Sequence, residues 1–297
     1  MIDLDHLGRA RVIACWEVDG VLIDPGPGST IETLLARLTS APRAILLTHI
    51  HLDHAGATGE LVRRWPGLTV YVHERGAPHL IDPSRLLTSA GRLYGDDMDH
   101  LWGAMAPVPA ERIEVLIGGE RIGDFDVAFT PGHASHHVSY LHRPTRCAFV
   151  GDTGGVRTPP SPLVIPPTPP PEIDVEAWEE SLRRIGAWRP RSLGITHFGL
   201  IDDPLPHLET VRRRLRELVE RARPLDGEAF ERDLRAEIRS VNDEGTAAAT
   251  LQAIPPDQQY LGLARYWRKR AERTGGSGGD GDGPAPSLPP DAPQTTK

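Results

Sequence analysis

The run T-H-I-H-L-D-H at 48–54 sets His49, His51, Asp53 and His54 within six residues. His49 and His51 alternate, so on an extended segment their rings project to the same side. Asp53 and His54 follow where the chain turns into a helical pattern. Three imidazoles and a carboxylate in one short turn suit Zn²⁺ and comparable divalent ions. Four more polar residues stand at the ends of other strand-like runs: Asp24 in L-I-D-P-G, His133 in F-T-P-G-H, Asp152 in F-V-G-D-T and His197 in G-I-T-H-F-G. Polar residues at successive strand ends of a layered α/β fold converge on one edge, where such folds place their sites.

The elements that must position these residues alternate from residue 11 to about 200. Residues 11–17 and 21–24 read as short strands joined at Asp19-Gly20, a hairpin signal. Residues 29–39 place Ile31, Leu34, Leu35 and Leu38 at helical spacing. The apolar run 43–49 suits a strand buried on both faces. Residues 55–65 read as a helix and 69–73 as a strand. Further strands are expected at 113–117, 126–130, 138–142, 147–150 and 191–196. Two stretches interrupt the rhythm: 74–109, with weak helical character, and the Pro-rich 154–171, a lid or a connector. Residues 204–223, 226–241, 245–253 and 257–271 read as amphipathic helices rich in Arg and Glu. The Gly-, Pro- and Ser-rich 274–297 reads as a disordered tail. The domains expected are thus a catalytic unit over 1–203, a helical region over 204–273 and the tail.

The chain has 297 residues, 39% of them hydrophobic, with 33 Lys and Arg against 41 Asp and Glu. That length can bury a sizeable core. The net charge of −8 argues against a nucleic-acid partner bound through a basic surface. No apolar run approaches the ~18 residues of a membrane span. The start, MIDLDHLGRA, has no basic segment followed by an apolar one, so the expected location is cytoplasmic, with no membrane partner. Cys15 and Cys147 form neither a disulfide framework nor a paired metal motif. No G-x-S-x-G marks a serine nucleophile.

In the order Asp24, His49-x-His51-x-Asp53-His54, His133, Asp152, His197, the chain resembles the metallo-β-lactamase fold superfamily over roughly residues 11–200. The resemblance implies an α/β fold of four layers, an αββα sandwich, here with a C-terminal helical extension. It implies that His49, His51 and His133 hold a first metal, that Asp53, His54 and His197 hold a second, and that Asp152 bridges them. Asp24 would orient ligands without binding metal, and would be milder on substitution than Asp152. The Asp at the bridge is similar to glyoxalase II-like hydrolases and lactonases rather than true β-lactamases. The segment T-P-G-H-A-S-H-H at 130–137 is similar to that branch's T-P-G-H-T-x-G-H, with His137 in the supporting position. His136 stands for a Gly there, Ile50 for the middle His of glyoxalase II, and Ala57 for the second Gly of H-A-G-G. The region after 204 resembles, in position, the helical domain that helps glyoxalase II bind glutathione, with Arg268, Lys269 and Arg270 as candidate contacts.

The implied cofactors are two divalent ions, Zn²⁺ first, with Mn²⁺ or Fe²⁺ as alternatives. Such a pair shares a water and lowers its pKa, and the hydroxide attacks a carbonyl or phosphorus while Asp53 and Asp152 offset charge. The expected reaction is hydrolysis of a small-molecule ester, thioester, lactone or phosphoester. The alternative is a persulfide dioxygenase-like oxidoreductase with one iron on His49, His133 and Asp152. The expected partner is a small-molecule substrate, with a homodimer as the assembly to look for.

Overall fold

The computed structural model describes residues 1–275. From residue 276 the tail expected over 274–297 lies outside the described residues. The first sheet contains β1 (Ile2–Asp3), β2 (Ala14–Val18), β3 (Val21–Ile23), β4 (Ala44–Leu46), β5 (Thr69–His73) and β6 (Ile113–Leu116), in that order. β1 to β3 pair antiparallel and β3 to β6 parallel. The second sheet contains β7 (Arg121–Ile122), β8 (Phe125–Phe129), β9 (Val138–His142), β10 (Cys147–Phe149), β11 (Ser192–Ile195) and β12 (Gly199–Ile201). It is antiparallel except for the β10–β11 pair.

Side-chain alternation makes the layers. In β4, Ala44 and Leu46 join an inter-sheet cluster with Phe125, Tyr140 and Phe149. Ile45, between them, faces the outer layer with Leu34, Leu61 and Leu80. These come from α1 (Ile31–Arg37), α3 (Thr58–Arg64) and α4 (Ala77–Ile81); the short α2 (Leu52–Ala55) precedes α3. The period of two therefore sorts one strand into two cores. The Asp19-Gly20 turn forms as expected: both residues have positive φ, 50° and 74°, and Val18 pairs Val21. The strand expected over 43–49 ends earlier, at Leu46. The Thr48 N–H is taken by the Asp24 carboxylate at 2.8 Å, so the chain leaves the sheet there.

The interruption at 74–109 resolves into α4, α5 (Ser84–Tyr94) and α6 (Met98–Trp102). A helix absent from the sequence reading, α7 (Val175–Ala187), follows the Pro-rich run. Asp174 caps it by accepting from Ala177 N–H at 2.9 Å. Val175, Trp178, Leu182 and Ile185 form its buried stripe against the second sheet. The last helices are α8 (Pro204–Ala222), α9 (Gly227–Ser240), α10 (Glu244–Ala253) and α11 (Pro256–Gly275). Val211, Phe230, Leu234 and Leu263 from this region lie in one cluster with Ala148, Leu193 and Ile195. The helices thus share a core with the second sheet. Among the described residues, no helix is long and apolar enough to cross a membrane.

Candidate metal centre

The chemistry-bearing residues follow the ends of five strands. Asp24 follows β3, the 49–54 run follows β4, His133 follows β8, Asp152 follows β10 and His197 follows β11. Asp24 has φ 50°, a left-handed conformation that costs an ordinary L residue energy and that Asp tolerates better than most. Its N–H donates to the Leu46 carbonyl at 3.1 Å, which turns the side chain under the motif loop.

The structure brings the candidates together in two donor groups: His49, His51, His133 and Asp152 in one, Asp53, His54 and His197 in the other. In the first, His49 Nε2 and His133 Nε2 each lie 3.0 Å from His51 Nδ1. Two ligands ~2.0–2.1 Å from one tetrahedral zinc lie about 3.3 Å apart, so this spacing is that of groups facing a common small cation. Asp152 sits between the groups. Its Oδ2 is 3.3 Å from His133 Nε2, and its Oδ1 is 3.2 Å from His54 Nε2 and 3.5 Å from His197 Nε2. Asp53 Oδ2 closes the second group at 3.3 Å from His197 Nε2.

Outer hydrogen bonds on His49, His54, His133 and His197 fix which nitrogen of each of these rings is bare. His133 Nδ1 lies 2.9 Å from the Pro167 carbonyl and His197 Nδ1 2.6 Å from the Val12 carbonyl. Carbonyls only accept, so both Nδ1 atoms carry hydrogen and both Nε2 lone pairs face inward. His54 Nδ1 donates to Asp24 Oδ2 at 2.8 Å. The Thr48 hydroxyl donates to the same oxygen at 2.7 Å, leaving its own oxygen to accept from His49 Nδ1 at 3.1 Å. Carboxylate and carbonyl partners of this kind are what orient imidazoles towards metals. His54 Nε2 and Asp152 Oδ1 are buried without a hydrogen-bond partner, which a cation would satisfy. The donor set fits divalent metal.

Charge agrees with geometry. Burial opposes ionisation of Asp53 and Asp152, but the imidazoles His54 and His197, joined at Asp152 by His133, outweigh it and hold both carboxyls far below their ordinary range. Burial likewise opposes charge on His54 and His197, yet the facing carboxylates, Asp152 foremost, raise both. Protons there stand where a cation would sit. Burial pushes His49 and His133 down, and His51 down to about 4.

Supports that the sequence did not show surround the donors. Trp178 Nε1 donates to the Thr153 carbonyl at 3.0 Å, and its ring stands edge-on to His133 at 5.6 Å. Gly132 has φ 139°, and a Cβ there would sit 2.3 Å from Trp178 Cβ. His207 of α8 donates from Nε2 to the Gly154 carbonyl at 2.8 Å, steadying the turn that carries Asp152. His137 is buried outside both groups, with Nδ1 3.0 Å from Thr130 Oγ1 and its ring stacked on His49 at 5.0 Å. His136 also stacks on His49, at 6.1 Å. Of the C-terminal basic residues, Arg270 pairs with Glu176 of α7, while Arg268 and Lys269 are exposed.

Comparison with known proteins agrees with this geometry. The metallo-beta-lactamase fold-containing protein of Sulfurisphaera tokodaii is 31% identical over 201 residues, 64% of this chain and 72% of that protein. A hydroxyacylglutathione hydrolase of Salmonella paratyphi A is 32% identical over 137 residues, 45% of this chain and 41% of that enzyme. This chain therefore matches less than half of that hydrolase's length. The crystal structure of an archaeal metallo-beta-lactamase superfamily protein from Sulfolobus tokodaii superposes with a TM-score of 0.60 at 27% identity, covering 82% of this chain and 87% of its own. The family model of the metallo-beta-lactamase superfamily matches residues 8–191, and the chain belongs to that superfamily.

Proposed function

We propose that the chain is a dinuclear metal-dependent hydrolase of a small-molecule ester, thioester, lactone or phosphoester. One observation carries the reading: Asp152 turns Oδ2 to His133 of one donor group and Oδ1 to His54 and His197 of the other. The seven donors of the two groups exceed what one tetrahedral ion uses. Two divalent ions bound there would supply a water of lowered pKa and polarise a substrate oxygen.

The chain's own residues do the arranging. Asp24 holds His54 and, through Thr48, His49. Asp152 places negative charge between the groups. The Asp53 side chain is 21% exposed against 5% for Asp152, so Asp53 is the carboxylate in touch with solvent. We assign the Asp53 carboxylate to receive the proton released by the nucleophile. The similarity to hydroxyacylglutathione hydrolases puts thioesters first among substrates to try.

The test combines metal content after loading with excess zinc and a hydrolysis panel on zinc- and manganese-loaded protein. The panel holds thioesters, lactones, phosphodiesters and phosphotriesters. Two ions per chain and turnover of one class are expected. One ion per chain after excess zinc would replace this reading with the single-iron alternative on His49, His133 and Asp152. That alternative leaves Asp53, His54 and His197 without a use.

A further inference from the structure

The Pro-rich run brings one carbonyl to the metal centre, and a C-terminal helix holds that run in place. Residues 166–171 read Pro-Pro-Thr-Pro-Pro-Pro. Proline has no backbone N–H, so Thr168 carries the sole backbone donor of this segment. Gln259 of α11 takes it: Gln259 Oε1 accepts from Thr168 N at 2.7 Å and from Thr168 Oγ1 at 3.0 Å. The Thr168 hydroxyl also lies 3.2 Å from the Gln259 carbonyl. Thr168 is wholly buried, and Gln259 is 2% exposed. One residue before Thr168, the Pro167 carbonyl accepts from His133 Nδ1.

The contact continues along one face of the helix. Three residues beyond Gln259, Gly262 lets the backbones meet, since a Cβ there would sit 1.9 Å from the Thr168 carbonyl oxygen. Three further on, Arg265 Nε donates to the Pro171 carbonyl at 3.1 Å. Spacing of three keeps these residues on one stripe. A run with no ladder of its own is thus laid along α11 and pinned at its single N–H.

We propose that Gln259 is a positioning residue for His133, acting through Thr168 and the Pro167 carbonyl, so that α11 is part of the metal centre. The proposal rests on the metal-centre reading above. With the pin removed, the Pro167 carbonyl drifts from His133 Nδ1. The ring then loses the acceptor that fixes its tautomer, and its Nε2 lone pair is no longer held inward.

The experiment compares wild type, Gln259→Leu and Gln259→Glu. Leu fills similar volume without an acceptor, whereas Glu keeps one for both Thr168 donors. Zinc affinity is read by chelator competition, and the His133 tautomer by ¹⁵N-histidine NMR on metal-stripped protein. Gln259→Leu is expected to bind zinc about 10–100-fold more weakly, the usual cost of losing an outer partner. Its His133 signals should show mixed tautomers, and Gln259→Glu should restore both readouts. If Gln259→Leu does not fold, Gln259→Asn, which withdraws the amide by one methylene, carries the same comparison. Wild-type zinc affinity together with an unchanged His133 tautomer in the variant would overturn the proposal. A wild type that takes up no metal would sink the metal reading instead, and the NMR comparison would still decide the relay.

Discussion

Asp24 Oδ2 lies 2.8 Å from His54 Nδ1, and both side chains are wholly sealed from solvent. The same carboxylate accepts from Thr48 N, from the Thr48 hydroxyl and, at 3.2 Å, from the Thr196 hydroxyl. The two hydroxyls can turn to suit a new partner; the imidazole cannot. Asp24→Asn sets an amide N–H against His54 Nδ1–H unless His54 moves its proton to Nε2, the atom that faces Asp152. We therefore expect weaker binding of the second ion by about 10–100-fold and a stability loss of about 1–3 kcal/mol. The effect is expected to stay below that of Asp152→Asn, the order the sequence suggests. Equilibrium dialysis and thermal unfolding check it; two ions held at wild-type affinity would contradict it.

Asp152→Asn keeps shape but removes the charge between the donor groups. Loss of the second ion and a rate reduction of at least ~10² are expected, the upper end of what a disturbed metal surrounding costs. Metal content and turnover, both at saturating zinc, are the measurements. A variant with two ions and near-normal turnover would remove Asp152 from the role assigned to it.

Stability of the metal-stripped protein should peak near neutrality. Burial holds His49, His51 and His133 below the ordinary imidazole value. Below about pH 6.5 the unfolded chain binds protons these rings refuse, so stability falls as pH drops. His54 and His197 are raised instead. Their contribution is full below about 6.5 and fades as pH rises through their elevated values. In zinc-loaded protein the ion replaces those protons, and the alkaline decline should vanish. Unfolding midpoints of chelator-treated and loaded samples across pH decide this. A chelator-treated midpoint that kept rising well above neutral pH would show that His54 and His197 hold no extra protons.

Truncation after residue 203 should abolish folding rather than leave an active core. It strips Val211, Leu215 and Leu218 from the cluster behind the second sheet. It also removes His207 from the Gly154 carbonyl and Gln259 from Thr168. Soluble yield and near-ultraviolet circular dichroism are the readouts. A soluble, zinc-binding 1–203 fragment would show that the helices are dispensable.

Much of this was legible in the residues. The 48–54 run declared its chemistry because imidazole and carboxylate spacing is carried by side-chain type. β4 was visible as a continuous apolar run, and its early end was not, because Asp24 captures the Thr48 N–H from 24 residues away. β1 and β7 span two residues each, too short for a period to register. α7 carried an N-cap and an apolar stripe, so its signal was present and unused. Gln259 and His207 were invisible for another reason. A polar residue on a charged amphipathic helix reads as solvated until the helix is docked, and their partners lie 91 and 53 residues off along the chain.

Each donor group draws on both sheets. His49 and His51 hang from the first and His133 and Asp152 from the second, while Asp53 and His54 face His197 across the same seam. An ion in either group is therefore a rivet through the sandwich. With ions bound, the halves could not be pulled apart until ligand bonds broke. Protease nicking that requires the sheets to part should accordingly be slower in zinc-loaded than in chelator-treated protein.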